Sequence, residues 1–389
     1  MRRFPAVHAV TIALSLTLGL LCAANPAAAD LYSDYEHRPA RDFQLPQVLS
    51  GSQGGTLLDN LPDGRLVMMT TRESAPFTTD GVELRIETAV GSRDFRYLGD
   101  IPFSGGMDSI WFNPGGFLTI NNNGSNPQIA VGNSSSSLAV FGANELDVLP
   151  TLAAPAPAPL AITWFDNLGA DLSVDGSFIA SAAWRSDTIL AVGSADGSKS
   201  QVHLLDATSS PAAPAVTLVI DNAPFGTGGL SFDENGSAYF GVGYGPGVGD
   251  IRRFDTSGWP ATQNFADGTL VTTLLSAGWI QFDVAGNLLV GGGDTFGSKV
   301  QLNYFAIQNA LSQQRLFDPD TVTGTNAYNL AYNPVTGEIL VWDNFTFVAD
   351  PQHVFVFAAE TVPEPATWAL MLIGLVSLGA VAVSRRKYV

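Results

Sequence analysis

Residues 230–240, Leu230-Ser-Phe-Asp-Glu-Asn-Gly-Ser-Ala-Tyr-Phe240, carry the pattern that decides the fold of this chain. An apolar–x–aromatic segment is followed by Asp, by a turn with Gly, and by a second short apolar segment. Asp, Asn and Gly are the residues that tight turns between strands favour, so the stretch predicts a β-hairpin. Close copies occur at 110–120 and 280–290, and looser copies at 58–68, 172–180 and 330–341.

The six copies recur at a nearly constant spacing. Their turn glycines lie 50 to 60 residues apart, at Gly64, Gly116, Gly176, Gly236, Gly286 and Gly337. A third strand-like segment follows each hairpin, at 82–86, 137–141, 201–206, 250–255, 299–305 and 353–357. A fourth follows in five units, at 95–98, 146–149, 216–220, 269–275 and 314–317. Four strands per unit of this length predict an all-β fold, a β-propeller of six four-stranded blades.

The two ends of the repeat region predict how the ring closes. The sixth unit has no fourth strand of its own, whereas residues 42–49 form a spare strand near the start. Placed as the outer strand of the last blade, this N-terminal strand leaves no open edge between the first and last blades. Pro46 fits only such an outer position. Seven blades, or a sandwich of two sheets, are the alternatives. The repeat resembles no specific propeller family, since neither a WD dipeptide nor a kelch glycine pair recurs.

The first 29 residues predict a secretory signal peptide. Two arginines near the start precede the apolar run 10–21, and Ala27 and Ala29 supply the small residues that signal peptidase requires. Cleavage there makes Asp30 the first residue of the mature chain, whose domain we place at 30–361. A lipoprotein is disfavoured, because Leu21 precedes Cys22 where a small residue is needed. The mature chain then contains no cysteine and folds without disulfides.

The C-terminal segment, 362–389, predicts a membrane helix. Residues 366–383 form an uncharged stretch of 18 residues, which as a helix spans about 27 Å. Arg385, Arg386 and Lys387 follow it and mark the cytoplasmic end. The bulk of the chain therefore faces outward from the inner membrane while this helix anchors it.

Pro363, Glu364 and Pro365 directly precede the helix, and with the helix and the basic tail they resemble the PEP-CTERM sorting signal. The resemblance implies recognition by an exosortase, cleavage near the triplet, and transfer to the cell surface or extracellular matrix of a Gram-negative bacterium. Passage through the inner membrane would then be transient. A permanent anchor is the alternative.

Charge excludes one class of partner. The chain has 18 basic and 36 acidic side chains, and residues 30–361 keep 13 and 35 of them, a formal charge of −22. A nucleic-acid surface needs clustered Lys and Arg, so no nucleic-acid partner is expected. The charge suits solubility outside the cell, or affinity for divalent cations or for cationic or neutral polymers.

Catalytic signals are weak. The mature histidines, His37, His203 and His353, are far apart in the repeat, and structural or surface roles are expected. No nucleophile elbow, zinc spacing or phosphate loop is present in the sequence. We therefore expect a protein that is not an enzyme and has no catalytic residues or cofactor.

Calcium is the one cofactor for which the sequence offers candidates. Glu73, Asp294 and Asp343, with Asn329 and Asn121, are placed near the mouth of the predicted channel and could converge as oxygen ligands. The segment 329–343 loosely resembles metal-binding strands of calcium-dependent lactonase propellers. Turn capping is the favoured role for such residues, including Asp175, Asp233 and Asp283 in the hairpin turns. Asp318 and Asp320 offer a further peripheral site.

Tryptophans could contact sugar rings. Trp111, Trp279 and Trp342 fall on the repeated strands and are expected to pack between blades. Trp184 and Trp259 lie in turn-rich segments and are better candidates for exposed stacking, although packing is favoured for each.

The sequence therefore predicts an exported, non-catalytic propeller that binds polysaccharide, such as exopolysaccharide, or protein. A calcium-dependent hydrolase or lyase at the channel mouth is the alternative.

Overall fold

A computed structural model gives the fold. It describes residues 35–75, 78–101, 116–121, 127–132, 137–143, 162–165, 168, 178–195, 198–224, 226–242, 249–274, 277–293, 300–305, 313–315, 329–342 and 353–359. The chain divides into a unit of Met1–Tyr35 with Ala359–Val389 and a unit of Glu36–Ala358. Nearly all of the first unit, including the predicted signal peptide, the sorting triplet and the stretch 366–383, lies outside the described residues.

The described residues of the second unit are all-β, and their strands form six sheets. Sheet 1 contains β3 (Ser52–Asn60), β4 (Leu66–Ala75), β5 (Thr78–Glu87) and β6 (Phe95–Asp100). Sheet 2 contains β7 (Phe117–Ile120), β8 (Gln128–Gly132), β9 (Leu138–Gly142) and β10 (Thr163–Phe165). Sheet 3 contains β11 (Phe178–Trp184), β12 (Ile189–Ala195), β13 (Lys199–Asp206) and β14 (Val216–Pro224), with β18 (Gln263–Asn264) parallel to β14.

The remaining sheets continue the series. Sheet 4 contains β15 (Thr227–Phe232), β16 (Ala238–Val242), β17 (Asp250–Phe254) and β19 (Thr269–Thr273). Sheet 5 contains β20 (Trp279–Phe282), β21 (Leu288–Gly293), β22 (Val300–Phe305) and β23 (Gln313–Arg315). Sheet 6 contains β24 (Leu330–Tyr332), β25 (Glu338–Trp342) and β26 (His353–Ala359), and both β1 (Tyr35–His37) and β2 (Phe43–Gln44) pair with β26. Short 3-10 helices cover Pro39–Arg41, Thr256–Gly258 and Phe265–Asp267.

The sheets are arranged as in a β-propeller. The first strands contact one another in chain order, β3 with β7, β7 with β11, β11 with β15, β15 with β20 and β20 with β24, and β24 contacts β3 again. Five sheets take their four main strands from one stretch of chain, whereas sheet 6 combines both ends of the unit. The prediction that the N-terminal segment completes the last sheet is confirmed, with two short strands in place of one strand over 42–49. Within the described ranges no helix is long and apolar enough to cross a membrane.

Four predicted hairpins form around their turn glycines. Gly64, Gly236, Gly286 and Gly337 all have positive φ, between +68° and +87°. In the turn of residues 233–237, Gly236 N donates to Asp233 O at 2.9 Å, and the strands continue in register with Leu230 opposite Phe240. Glycine adopts positive φ without a steric penalty, so it is the residue that this turn selects. The predicted hairpins at 58–68, 230–240, 280–290 and 330–341 are confirmed.

Sheets 2 and 3 differ from the prediction. Residues 117–120 were expected as the second strand of a hairpin; they form β7, the first described strand of sheet 2, and pair with β8, whereas 110–115 lie outside the described residues. The fourth strand of this sheet is β10, whereas 146–149 lie outside the described residues. In sheet 3, β11 and β12 form a hairpin that was not predicted, through a turn at 185–188 without glycine. Most of the predicted hairpin at 172–180, including Gly176, lies outside the described residues.

Apolar side chains fill the space between successive sheets. Leu57 of sheet 1 packs in one cluster with Leu118 of sheet 2, and both are buried. Similar clusters lie between sheets 2 and 3, 3 and 4, 4 and 5, and 6 and 1. Each fully buried side chain of this size stabilises the fold by about 1.5–3 kcal/mol. The first strands themselves approach so closely that a Cβ at Gly229 would collide with the backbone nitrogen of Ile280.

Candidate functional site

A cavity of about 270 Å³ lies where the first strands end. It is lined by residues of sheets 1 to 5: Asp59, 118–121, 181–184, 229–232 and 279–282. These segments are the carboxyl-terminal parts of β3, β7, β11, β15 and β20. The ring of first strands therefore creates a central chamber to which five sheets contribute.

Asp59 is the centre of a hydrogen-bond network in this cavity. Its Oδ2 accepts from Ile120 N and its Oδ1 from Asn60 N, each at 2.8 Å. The side chain of Gln281 also hydrogen-bonds the Asp59 carboxyl group, and Gln281 Oε1 accepts from Tyr332 N at 3.0 Å. One carboxyl group thus links strands of sheets 1, 2 and 5, and Gln281 extends the network to sheet 6.

The environment of Asp59 shifts its protonation. Burial raises the pKa of Asp59 from 3.8 to about 7, although the hydrogen bonds from Asn60, Ile120 and Gln281 act in the opposite direction. The protein surrounds the side chain, and part of its surface faces the cavity. Desolvation penalises the charged form of a carboxyl group, so the group changes charge near neutral pH.

The other lining residues are uncharged. Asn121 Nδ2 donates to Ser186 O at 3.1 Å, and Trp184 Nε1 donates to Thr119 O at 3.3 Å. Ser181 is 4% exposed, and its Oγ has no hydrogen-bond partner among the described residues. The aromatic side chains are Trp184, Phe232, Trp279 and Phe282. The lining therefore combines polar groups with aromatic rings around a single carboxyl group.

Sequence reasoning missed Asp59 and Gln281, although the repeat contains a signal for them. Asp59, Ser231 and Gln281 each lie five residues before a turn glycine, directly after the apolar residue that begins the repeat motif. The apolar and aromatic positions of the motif predict the core, whereas the position between them carries no hydrophobic signal. This position lines the cavity together with its neighbours on β15 and β20.

Most of the proposed calcium ligands lie outside the residues that the structure describes. Asn329 is buried beside β24, and its Oδ1 accepts from Leu58 N at 3.0 Å, so this oxygen holds β3. Glu73 lies on β4 opposite Ser52. Asp294, Asp343 and the Glu73 side chain lie outside the described residues, as do Asp318 and Asp320. The described His, Cys, Asp and Glu residues form no group of three or more that could hold a metal ion.

The hairpin aspartates cap their turns, as favoured from the sequence. Asp233 Oδ1 accepts from Asn235 N at 3.0 Å and from Ser237 N at 2.8 Å. Asp283 Oδ1 accepts in the same way from the backbone of Ala285 and Asn287. Asp175 lies outside the described residues.

The histidines are separate from the cavity. His37 Nε2 lies 2.9 Å from Asp42 Oδ2, and its ring contacts Phe355 and Phe357. His203 is 5% exposed on β13, and burial lowers its pKa to about 4. His353 is exposed on β26. The predicted structural and surface roles fit these positions.

Both tryptophans considered for sugar stacking are packed. Trp184 and Trp259 are each 8% exposed. Phe232 lies edge-on to Trp259, and the Arg185 guanidinium lies 5.2 Å from the centroid of the Trp259 ring. Trp342 is also buried, whereas Trp279 is partly exposed in the cavity and Trp111 lies outside the described residues. Neither Trp184 nor Trp259 presents an exposed ring face.

Comparison with known proteins identifies the C-terminal segment. A family model of the PEP-CTERM protein-sorting motif matches residues 361–387, so the resemblance noted from Pro363, Glu364 and Pro365 is confirmed. The motif implies export, processing by an exosortase and association with the cell surface. No curated protein sequence matches the chain.

Solved structures share the fold. A luciferin-regenerating enzyme is 13% identical, with a TM-score of 0.50, and the match covers 83% of this chain and 95% of that one. A protein of unknown function from Dyadobacter fermentans is 10% identical, with a TM-score of 0.52, and the match covers 83% of this chain and 99% of that one. At such identities the similarity shows the fold alone.

Proposed function

We propose that this protein is a secreted binding scaffold: a six-bladed propeller, sorted by an exosortase, that binds extracellular polysaccharide or protein without catalysis. Signal peptidase would cut after Ala29, and a helix over 366–383 would hold the chain in the inner membrane until the exosortase acts. The mature protein would then stay on the cell surface or in the matrix.

Chain order supports processing that leaves the propeller whole. The last strand, β26, ends at Ala359, and the sorting motif begins at residue 361. A cut near Pro363–Pro365 falls after every strand of sheet 6, including β26, which pairs with both β1 and β2. The closed set of contacts between first strands supports six blades, with the N-terminal segment as the closing element.

The single observation that carries the binding role is the central cavity. Its lining joins a carboxyl group, amides and hydroxyls to aromatic rings, which is the composition of a site for a small polar ligand. Among its described lining residues Asp59 is the one ionisable side chain, so an acid and a base do not face each other there. Binding without chemical conversion fits this lining best.

Two arms test the proposal in the producing bacterium. In the first, Pro363, Glu364 and Pro365 are all replaced by Ala, and the variant is compared with the unaltered protein in membrane and surface fractions. The unaltered protein should appear at the surface in a shorter form, and the variant should stay in the membrane at full length. Equal distributions would contradict exosortase sorting.

In the second arm, purified full chain is passed over immobilised polysaccharide from the same bacterium. We expect saturable retention. If the folded protein is retained neither by polysaccharide nor by immobilised extracellular protein, the scaffold role is contradicted.

A further inference from the structure

Among the described residues that line the cavity, Asp59 is the one ionisable group, and no counter-charge lies beside it. The groups that act on its carboxyl are the amides of Asn60, Ile120 and Gln281. A carboxylate offers about four lone-pair sites. Three amide donors therefore leave about one site for a group inside the cavity.

Aromatic rings surround the same space. Phe232, Trp279 and Phe282 line the cavity and are partly exposed. Rings of this kind attract an ammonium group through their negative faces, and the attraction grows as the site excludes water. A carboxylate beside aromatic rings therefore suits a cation better than an anion or a fully neutral ligand.

We propose that this cavity binds the ammonium group of a small organic cation, with the Asp59 carboxylate as its counter-charge and the rings of Phe232, Trp279 and Phe282 beside it. The inference rests on the proposed function, since it names the ligand class of the same cavity. A volume of about 270 Å³ suits a simple amine or one amino-sugar unit. The charge of −22 on residues 30–361 favours the approach of either.

The ionisation of Asp59 makes the binding depend on pH. Residues of β7 and β20 that line the cavity are uncharged, and Tyr332 is the titratable residue of β24. On the turn after β3, Asp63 and Arg65 pair with each other at 2.7 Å. Because Asp59 must be ionised to pair with a cation, and its pKa is raised to about 7, binding should strengthen as pH rises through neutrality.

The test measures thermal unfolding of the full chain, purified in detergent, at pH 5.5 and 7.5. The added probes are methylammonium chloride, glucosamine hydrochloride and glucose, with sodium chloride at equal ionic strength as the blank. The midpoint should rise with the amine concentration at pH 7.5. The dissociation constant should be roughly twentyfold higher at pH 5.5, in proportion to the ionised fraction of Asp59. Glucose should leave the midpoint unchanged.

The two amines distinguish the source of the ammonium group. Stabilisation by methylammonium identifies a simple amine as sufficient, and stabilisation by glucosamine alone identifies the amino sugar. Equal stabilisation by glucose and glucosamine would overturn the inference, and so would superimposable curves with both amines.

Two variants locate the site. Asp59→Asn should abolish the shift, and Asp187→Asn should keep it, because Asp187 is exposed in the turn between β11 and β12. If Asp59→Asn does not fold, the pH comparison on the unaltered chain decides. If polysaccharide retains the protein but the amines do not shift its unfolding midpoint, only this inference is contradicted. If the amines shift the midpoint but nothing is retained, only the scaffold role is contradicted.

Discussion

Arg93 Nη2 donates a hydrogen bond to Glu338 Oε2 at 2.7 Å, although the two residues are 245 positions apart. Glu338 is nearly buried on β25, and its Oε1 accepts from Arg41 Nη1 at 3.2 Å. The Arg93 guanidinium also lies 4.6 Å from the centroid of the Phe43 ring. The N-terminal segment, sheet 1 and sheet 6 therefore meet at one carboxylate, where the first and last parts of the unit join.

Replacement of Glu338 should weaken this junction. Glu338→Gln removes one of the two carboxylates that pair with the partly buried Arg93, the other being Glu87 at 3.6 Å. The loss should lower the free energy of unfolding by about 1.5–3 kcal/mol, the contribution of a hydrogen bond to a charged group. Urea unfolding of the full chain in detergent measures the change. Glu36→Gln is the matched control, because Glu36 is 56% exposed in its pair with Arg38 and should cost less than about 0.5 kcal/mol. Similar losses in both variants would show that the junction does not depend on Glu338.

Asp59 should make the protein more stable in mild acid. Its pKa is about 7 in the folded chain, above the ordinary value of 3.8 for an exposed aspartate, so folding favours the neutral form. The resulting stabilisation is present below pH 3.8 and is lost as pH rises through 7. The unfolding midpoint of Asp59→Asn, relative to that of the unaltered protein, should therefore rise from pH 4 to pH 8. A difference that is constant over this range would contradict the raised pKa.

His203 should make the protein less stable in acid. Burial lowers its pKa from 6.5 to about 4, so folding again favours the neutral form. Its stabilisation is present above pH 6.5 and is lost as pH falls through 4. His203→Gln should therefore lose less stability than the unaltered protein between pH 7 and pH 4. His353→Gln, at an exposed position on β26, should follow the unaltered protein, and the same acid response in both variants would rule out this role for His203.

Trp259 should contribute to stability and not to polysaccharide retention. Trp259→Ala removes a buried ring that packs against Phe232, at a cost of about 3 kcal/mol. Leu270→Ala, at a side chain that is 49% exposed on β19, should change stability by less than about 0.5 kcal/mol. Chemical unfolding measures both. Loss of retention in a Trp259→Ala protein that unfolds like the unaltered one would contradict the packing role.

Calcium should not stabilise the fold. The carboxylates of Asp233 and Asp283 already accept backbone hydrogen bonds in their turns, and Glu338 is held in an ion pair. Thermal unfolding of the full chain with EDTA and with millimolar calcium should give superimposable curves. An upward shift with calcium would establish a saturable metal site, for which Asp294 and Asp343 are the candidate ligands.

Local turn chemistry explains which parts of the fold were predictable. Hairpins built on Asp or Asn and a positive-φ glycine, such as that of Asp233 and Gly236, were located from the sequence. The hairpin of β11 and β12 was missed because its turn, 185–188, contains no glycine. In sheet 2, the Asn123-Gly124 pair before β8 is a turn signal, but the segment lacks the apolar–x–aromatic motif of the repeat, so β8 was not predicted as a strand.

The site itself depends on contacts that no local pattern encodes. Asp59 and Gln281 meet because the ring of first strands brings sheets 1 and 5 together across the cavity. Burial in that cavity, and not the neighbouring sequence, sets the pKa of Asp59. Both residues have the same position in their repeat units, but the repeat does not indicate that they lie close together.

Filling the cavity tests most directly whether it is the binding site. Ser231→Trp places a large ring in the space of about 270 Å³, and Thr188→Trp places the same ring on an exposed turn. Retention of each full chain on polysaccharide from the producing bacterium is the measurement, with unfolding curves to show that both variants fold. We expect Ser231→Trp to lose retention and Thr188→Trp to keep it. Full retention by a folded Ser231→Trp variant would contradict it and place the binding surface elsewhere on the propeller.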